Sequence, residues 1–293
     1  MPQGIERRWT SADGLTLFAR DYHGAAGPAR LPVICIHGLT RNSRDFEVVA
    51  PRIAGLGRRV LAIDVRGRGR SERDPNAMNY NPAVYAGDVI ALMTQAGVAR
   101  AIFVGTSMGG LITMTLAAMR ADLIGGAVLN DVGPEVGQAG LARIAGYVGG
   151  PFRAADWNEA EAYCRRTNGE ALPHLTDAQW EAMAQRTFRR EPDGRLAPDY
   201  DPAISQVFRT APAGAPPAPA PDLWPLFAAM TAGRPTLLVR GAASDILEAA
   251  TAERMAAAAP HLQRLDVPGV GHAPLLEEPQ AEAAIAAFLA AAP

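Results

Sequence analysis

Short, mainly apolar runs recur along the chain, each ending in a polar or glycine-rich turn and then giving way to a helical pattern. LPVICI (31–36), RVLAIDV (59–65), AIFVG (101–105), GAVLNDV (126–132) and PTLLVR (235–240) have this character, and a last strand is expected over Leu262 to Val267. An apolar run with no alternation predicts a strand buried on both faces, the environment of a parallel sheet covered by helices. Helical patterns fall between them, at about 44–56, 82–96, 111–119, 222–230, 248–258 and 279–291, with Pro82 at the favoured first-turn position. Two further strands, Ile5 to Thr10 and Leu15 to Tyr22, flank Asp13-Gly14, a hairpin turn signal. Strand and helix thus alternate as in βα units, which predicts an α/β fold with right-handed crossovers.

The rhythm breaks at Gly133-Pro134. From 134 to 221 the chain carries helical patterns (141–148, 157–167, 176–189, 202–208) and no convincing buried strand. It closes in APAGAPPAPAP (211–221), which reads as an extended connector because proline can neither continue a helix nor donate to a sheet. Residues 1–133 and 222–293 therefore form the expected core, and 134–221 a helical insertion over it.

Composition narrows the class only slightly. The chain has 293 residues, 48% hydrophobic and 20% charged, with a formal net charge of −2. That balance offers no electrostatic case for nucleic acid or an anionic membrane. The start, MPQGIERRWT, has no apolar segment to serve as a signal peptide, and no run reaches membrane-spanning length. A cytoplasmic enzyme is the expectation. Cys35 and Cys164 are too far apart to suggest a metal site, and Cys35 reads as a small core residue.

The chemistry lies just after the C-terminal ends of the strands, where open α/β sheets place their sites. AIFVGTSMGG (101–110) is a strand, a tight turn and a helix with Ser107 at the apex. The G-x-S-x-G spacing lets a strained serine stand clear of the sheet while strand and helix close on each other. Asp245 follows a strand in RGAASD, and His272 follows the last strand in GVGH. The order Ser, Asp, His suits acyl transfer: the hydroxyl needs an imidazole to take its proton, and the imidazole needs a carboxylate to fix its tautomer. Asp131 also follows a strand and is the alternative acid.

HGLT (37–40), DVRGRGRS (64–71), GTSMGG (105–110), RGAASD (240–245) and GVGHAP (269–274) together resemble the α/β-hydrolase fold family over nearly the whole chain. The resemblance implies a mostly parallel eight-stranded sheet with helices on both faces and a helical cap inserted after the sixth strand. It implies Ser107 as nucleophile, Asp245 as acid, His272 as base, and the amides of Leu39 and Met108 as the oxyanion hole. No cofactor or metal is implied. Serine at the elbow argues against the dehalogenase and epoxide-hydrolase members, which attack with aspartate. His37 reads as a brace for the oxyanion loop, and Arg66 and Asp64 as structural.

Specificity is less legible. Tyr147, Phe152, Trp157 and Trp180 are the expected pocket walls in the cap, with lid core as the alternative, and Arg41 and Arg44 are read as solvated helix-start residues, with contact to a substrate carboxylate as the alternative. The expected activity is hydrolysis of small to medium carboxylic esters. Lactones, thioesters and the C–C bonds of meta-cleavage products are alternatives, and a non-catalytic ligand-binding protein is a remote one. The partner is a small-molecule ester or lactone; oligomeric state is open, with a homodimer as one option.

Overall fold

The computed structural model describes residues 4–24, 30–208 and 221–293. In chain order the core begins with β1 (Ile5–Thr10), β2 (Thr16–Tyr22), β3 (Val33–Ile36), α1 (Val49–Gly55), β4 (Val60–Asp64), α2 (Pro82–Gln95), β5 (Ala101–Thr106), α3 (Met108–Arg120) and β6 (Ile124–Asn130). The segment that follows holds α4 (Gln138–Ala145), α5 (Trp157–Asn168), α6 (Asp177–Thr187), β7 (Phe188–Arg190), β8 (Leu196–Pro198) and a 3-10 helix, Pro202–Phe208. The core resumes with α7 (Trp224–Thr231), β9 (Thr236–Gly241), α8 (Ala249–Ala258), β10 (Leu262–Val267) and α9 (Pro279–Ala291).

Eight strands form one sheet in the order β1-β2-β4-β3-β5-β6-β9-β10. β1 and β2 pair antiparallel, as do β2 and β4, and every other pairing is parallel. The continuous apolar runs follow from burial on both faces. Ile34 and Ile36 of β3 join the core on one side of the sheet with Ile63, Phe103 and Leu129. Val33 and Cys35 join the other side with Val60, Val104 and Val239. Cys35 is wholly buried, and that burial pushes its thiol far up, so it is an inert core residue.

Two local expectations are corrected. The helix anticipated over 44–56 is split into a 3-10 turn, Ser43–Phe46, capped by the Asn42 side chain on the Arg44 amide, and α1. Pro51 is the cause: with no N–H to donate and a ring that crowds the preceding turn, it sits within three residues of a helix start, so the helix must begin afresh at Val49. The segment after β6 is also not purely helical, since β7 and β8 pair antiparallel around Pro192-Asp193-Gly194. Gly194, at φ 87°, takes the left-handed turn position. The proline-rich connector, 211–221, lies outside the described residues apart from Pro221.

This segment rests on the carboxyl ends of the strands. Arg68 bridges to Tyr200, and the Asn42 side chain donates to the Arg186 carbonyl. Arg143 of α4 reaches Asp245, and Arg186 of α6 reaches Glu277. Among the described residues, no helix is long and apolar enough to cross a membrane.

Candidate active site

β5 ends at Thr106 and α3 starts at Met108, so Ser107 alone makes the turn, at φ 51° and ψ −114°. An L-residue held there is strained by about 1–3 kcal/mol, and its surroundings must hold it. Its N–H donates to the Asn130 carbonyl of β6 at 2.9 Å, and the Gly110 N–H donates to its carbonyl at 2.9 Å. The flanking glycines are steric requirements. A Cβ on Gly105 would lie 2.5 Å from the Gly109 carbonyl carbon, and one on Gly109 would lie 2.1 Å from the Ile36 oxygen.

His272, in the loop after β10, places Nε2 2.9 Å from Ser107 Oγ and Nδ1 2.7 Å from Asp131 Oδ2. Asp131 is the first residue beyond β6 and sits at φ 56°, fully buried. Its Oδ1 accepts the Gly241 N–H at 2.9 Å, and Oδ2 also accepts the Ser244 hydroxyl at 2.6 Å. A carboxylate in this position can only accept, so the proton on His272 lies on Nδ1, and Nε2 is left free to face the serine hydroxyl. The side chains of Asp131 and His272 are 0% and 9% exposed, so the pair is shielded from solvent screening.

The expectation for Asp245 is therefore corrected. Its carboxylate is committed to Arg143, with Oδ2 accepting from Nε at 2.7 Å and Oδ1 from Nη2 at 2.8 Å. The Arg143 guanidinium holds its carboxyl below the ordinary range. The physical reason is register. β6 and β9 run parallel with Asn130 opposite Val239, so the residue after β6 emerges beside Gly241 and Ser244. Asp245 lies four residues beyond the end of β9 and turns toward α4 instead.

The loop after β3 meets the nucleophile. A Cβ on Gly38 would sit 3.8 Å from Ser107 Cβ. His37 is fully buried, donates from Nδ1 to the Gly38 carbonyl at 2.7 Å and accepts the Val65 N–H at Nε2 at 3.1 Å. Burial pushes its imidazole down to about 4, so the ring is neutral near pH 7 and braces the peptide that carries the Leu39 N–H. Arg68 supports the same loop from behind: Nε donates to the Leu39 carbonyl at 3.0 Å.

Ser107 opens onto two chambers that share Leu39 and Ile144 with it. One, about 120 Å³, is mixed in character: Arg41, Arg143, Asn168, Gln179, Arg186 and His272 line it beside Phe46, Leu172 and Met183. The other, about 760 Å³ among the described residues, is apolar and includes Leu111, Val132, Leu141, Trp224 and Ile246. Of the four expected wall residues, Tyr147 lines the smaller chamber. Phe152, Trp157 and Trp180 do not line either chamber, which corrects that expectation. Phe152 stacks on Tyr163 at 4.3 Å, Trp180 is buried with Arg165 over its ring, and Trp157 packs in the same apolar cluster. They pack around α5 and α6. Arg41 is likewise not a solvated helix start: it lines the smaller chamber and binds Asp45 and Thr187. Arg44 pairs with Glu47 at the surface.

The sequence reading missed three supporting residues. Ser244 orients Asp131, and Arg68 holds Leu39. Asn130 donates from Nδ2 to Thr106 Oγ1 at 3.0 Å and to the Pro274 carbonyl at 2.8 Å, joining the serine strand to the histidine loop. "SD" at 244–245 is the one visible signal for the first; the others depend on contacts between distant segments. Among the described residues, no group of three His, Cys, Asp or Glu could hold a metal ion.

Known proteins share this arrangement of the chain. A profile of the alpha/beta hydrolase family matches residues 33–286. The chain is 38% identical over 269 residues to the 3-hydroxybutyrate-oligomer hydrolase of Cupriavidus necator, covering 90% of each chain. The crystal structure of an alpha/beta hydrolase from Novosphingobium aromaticivorans is 45% identical and superposes with a TM-score of 0.90 over 99% of both chains. The structure of E-2-(acetamidomethylene)succinate hydrolase is 27% identical and gives a TM-score of 0.80 over 98% of this chain and 100% of that one. Sheet order, elbow and these likenesses agree, and the chain belongs to the alpha/beta hydrolase family.

Proposed function

We propose that the protein is a serine esterase that cleaves short esters of hydroxy acids, with Ser107, His272 and Asp131 as its triad. The attack begins when Ser107 Oγ bonds to the ester carbonyl carbon while its proton passes to His272 Nε2. Asp131 stabilises the imidazolium and keeps Nδ1 protonated. The carbonyl oxygen becomes an oxyanion, which accepts hydrogen bonds from the N–H groups of Leu39 and Met108, the latter at the N-terminus of α3. Collapse of this intermediate breaks the bond to the alcohol oxygen, which takes the proton from Nε2. Water then enters, gives its proton to the same nitrogen and frees the acid from Ser107. No step draws on a cofactor. Residues 134–221 act as the cap that closes the site, with α4 supplying a wall common to both chambers.

The observation that carries the substrate class is the position of Ser107 between a small chamber that bears arginine side chains and a larger apolar one. A scissile carbonyl at Ser107 sends one substituent into a small arginine-bearing space and the other into a larger apolar one. A short hydroxy-acid oligomer has both ends: a terminal carboxylate or hydroxyl, and methyl-bearing units. The 38% identity to an enzyme named as a 3-hydroxybutyrate-oligomer hydrolase supports the same class.

The test is steady-state hydrolysis of the 3-hydroxybutyrate dimer and trimer against p-nitrophenyl esters of two to twelve acyl carbons, wild type against Ser107→Ala. Turnover of the dimer or trimer with kcat/KM at least equal to that on p-nitrophenyl butyrate, lost by orders of magnitude in the variant, supports the reading. Turnover of p-nitrophenyl esters alone refutes the hydroxy-acid class. Turnover undiminished in Ser107→Ala refutes the nucleophile.

A further inference from the structure

Arg68 is buried to 1% exposure in the loop after β4, yet no carboxylate among the described residues lies within ion-pair distance of it. Arg66, two residues earlier and equally buried, is neutralised by Asp13, Asp74 and Asp88. The contrast matters because an uncompensated buried charge is among the costliest groups in a protein interior. What surrounds Arg68 instead is a set of neutral acceptors and two ring faces. Nη1 donates to the Arg66 carbonyl at 2.8 Å and the Tyr85 hydroxyl at 2.9 Å. The guanidinium carbon lies 5.5 Å from the centroid of Tyr80 and 5.1 Å from that of Tyr85, within cation–π range.

Its remaining donors point at two residues far apart in sequence. Nε reaches the Leu39 carbonyl at 3.0 Å, and Nη2 reaches Met108 Sδ at 3.5 Å. Leu39 is then gripped from both sides, because His37 holds the Gly38 carbonyl of the preceding peptide. The rigid guanidinium fork ties the loop after β3 to the first residue of α3, and these are the two residues whose N–H groups face the reacting carbonyl in the mechanism above.

We propose that Arg68 is the positioning residue of the oxyanion hole. It fixes the spacing of Leu39 and Met108, and it supplies an unneutralised positive charge whose counter-ion is the oxyanion itself. The charge is answered in the transition state and not in the ground state, so it acts on kcat more than on KM. This inference rests on the reading of Ser107 as the nucleophile.

The experiment compares wild type, Arg68→Met, Arg68→Lys and Ser107→Ala. The readouts are kcat and KM on p-nitrophenyl butyrate, the Kd of phenylboronic acid, which forms a tetrahedral adduct on an activated serine, and circular dichroism to establish folding. Deleting one oxyanion donor costs about 10²- to 10³-fold, so displacing the hole without deleting a donor should cost about 10- to 100-fold in kcat. The expected result for Arg68→Met is that loss with KM within about twofold, and boronate affinity weakened by the same factor as kcat/KM. Arg68→Lys, which keeps the charge but not the fork, should recover part of the loss. If Arg68→Met does not fold, Arg68→Lys decides alone: a fall in kcat with parallel loss of boronate affinity supports the proposal, and wild-type values overturn it. A loss carried by KM with boronate affinity unchanged also overturns it. Turnover and boronate binding retained in Ser107→Ala would instead reject the nucleophile, whatever the Arg68 variants do.

Discussion

Replacing Asp131 by asparagine is the sharpest perturbation the geometry offers, because it changes one atom among three converging donors. The Gly241 N–H, the Ser244 hydroxyl and the Nδ1–H of His272 all point at the carboxylate. Asparagine has one acceptor oxygen and one NH₂ group to offer them. With its NH₂ toward Gly241, two N–H groups would meet at 2.9 Å, and a backbone amide cannot reverse its role. The favoured orientation keeps oxygen on Gly241 and presents NH₂ to His272, whose ring then moves its proton to Nε2 and accepts at Nδ1. Nε2–H now donates to Ser107 Oγ and cannot take its proton. A triad with the wrong tautomer loses about 10⁴ in kcat, equivalent to about 5.5 kcal/mol of transition-state stabilisation. Asp245→Asn, by contrast, weakens a bridge whose side chains are 34% and 32% exposed and screened by solvent. It should cost under about 1 kcal/mol in stability and leave kcat within about threefold. The assay is kcat on p-nitrophenyl butyrate at pH 8 for both variants, with thermal unfolding followed by circular dichroism. A loss of about a thousandfold in Asp245→Asn, with Asp131→Asn within tenfold of wild type, would refute the assignment.

Three further outcomes follow from the same structure. The His37 imidazole is pushed by burial from its ordinary 6.5 to about 4, so the folded state resists protonation and stability falls as pH drops from about 6.5 to about 4. The loss amounts to about 3 kcal/mol; chemical denaturation of wild type and His37→Asn across pH 4–7 measures it, and a constant difference between them would contradict the burial argument. Gly109→Ala would drive a Cβ to 2.1 Å from the Ile36 oxygen and should destabilise by about 3 kcal/mol or more, whereas Gly87→Ala in α2, with nothing within 4 Å, should stabilise by about 0.5–1 kcal/mol. Melting temperatures that shift in the same direction would count against both. Leu111→Trp narrows the apolar chamber, and its kcat/KM on octanoyl esters should fall at least about tenfold relative to butyryl esters; an unchanged chain-length profile would show that acyl chains lie elsewhere.

The layout of the fold was legible because its signals are local. Unbroken apolar runs marked β3 to β6 and β9, and the Gly105-x-Ser107-x-Gly109 turn could only be a strand-to-helix elbow. The acid was not legible for a physical reason: Asp131 and Asp245 both follow strands, and what separates them is the β6–β9 register together with Arg143, which comes from 102 residues away along the chain. The cap aromatics failed for a related reason. Phe152 lies in the loop before α5, Trp157 opens α5 and Trp180 sits on α6, and an aromatic in any of these places reads the same in sequence whether it lines a pocket or, as here, packs between elements. Arg68 was passed over because a basic residue in a glycine-rich turn reads as exposed until the turn is seen folded under Tyr80 and Tyr85.

The most direct test of the central claim is covalent labelling with a fluorophosphonate, read by intact mass and peptide mapping on wild type, Ser107→Ala and Asp131→Asn. One adduct on Ser107 in wild type, none in Ser107→Ala and labelling slowed by orders of magnitude in Asp131→Asn is the predicted pattern. Folded wild-type protein that forms no adduct, or forms it on another residue, would contradict a triad built on Ser107.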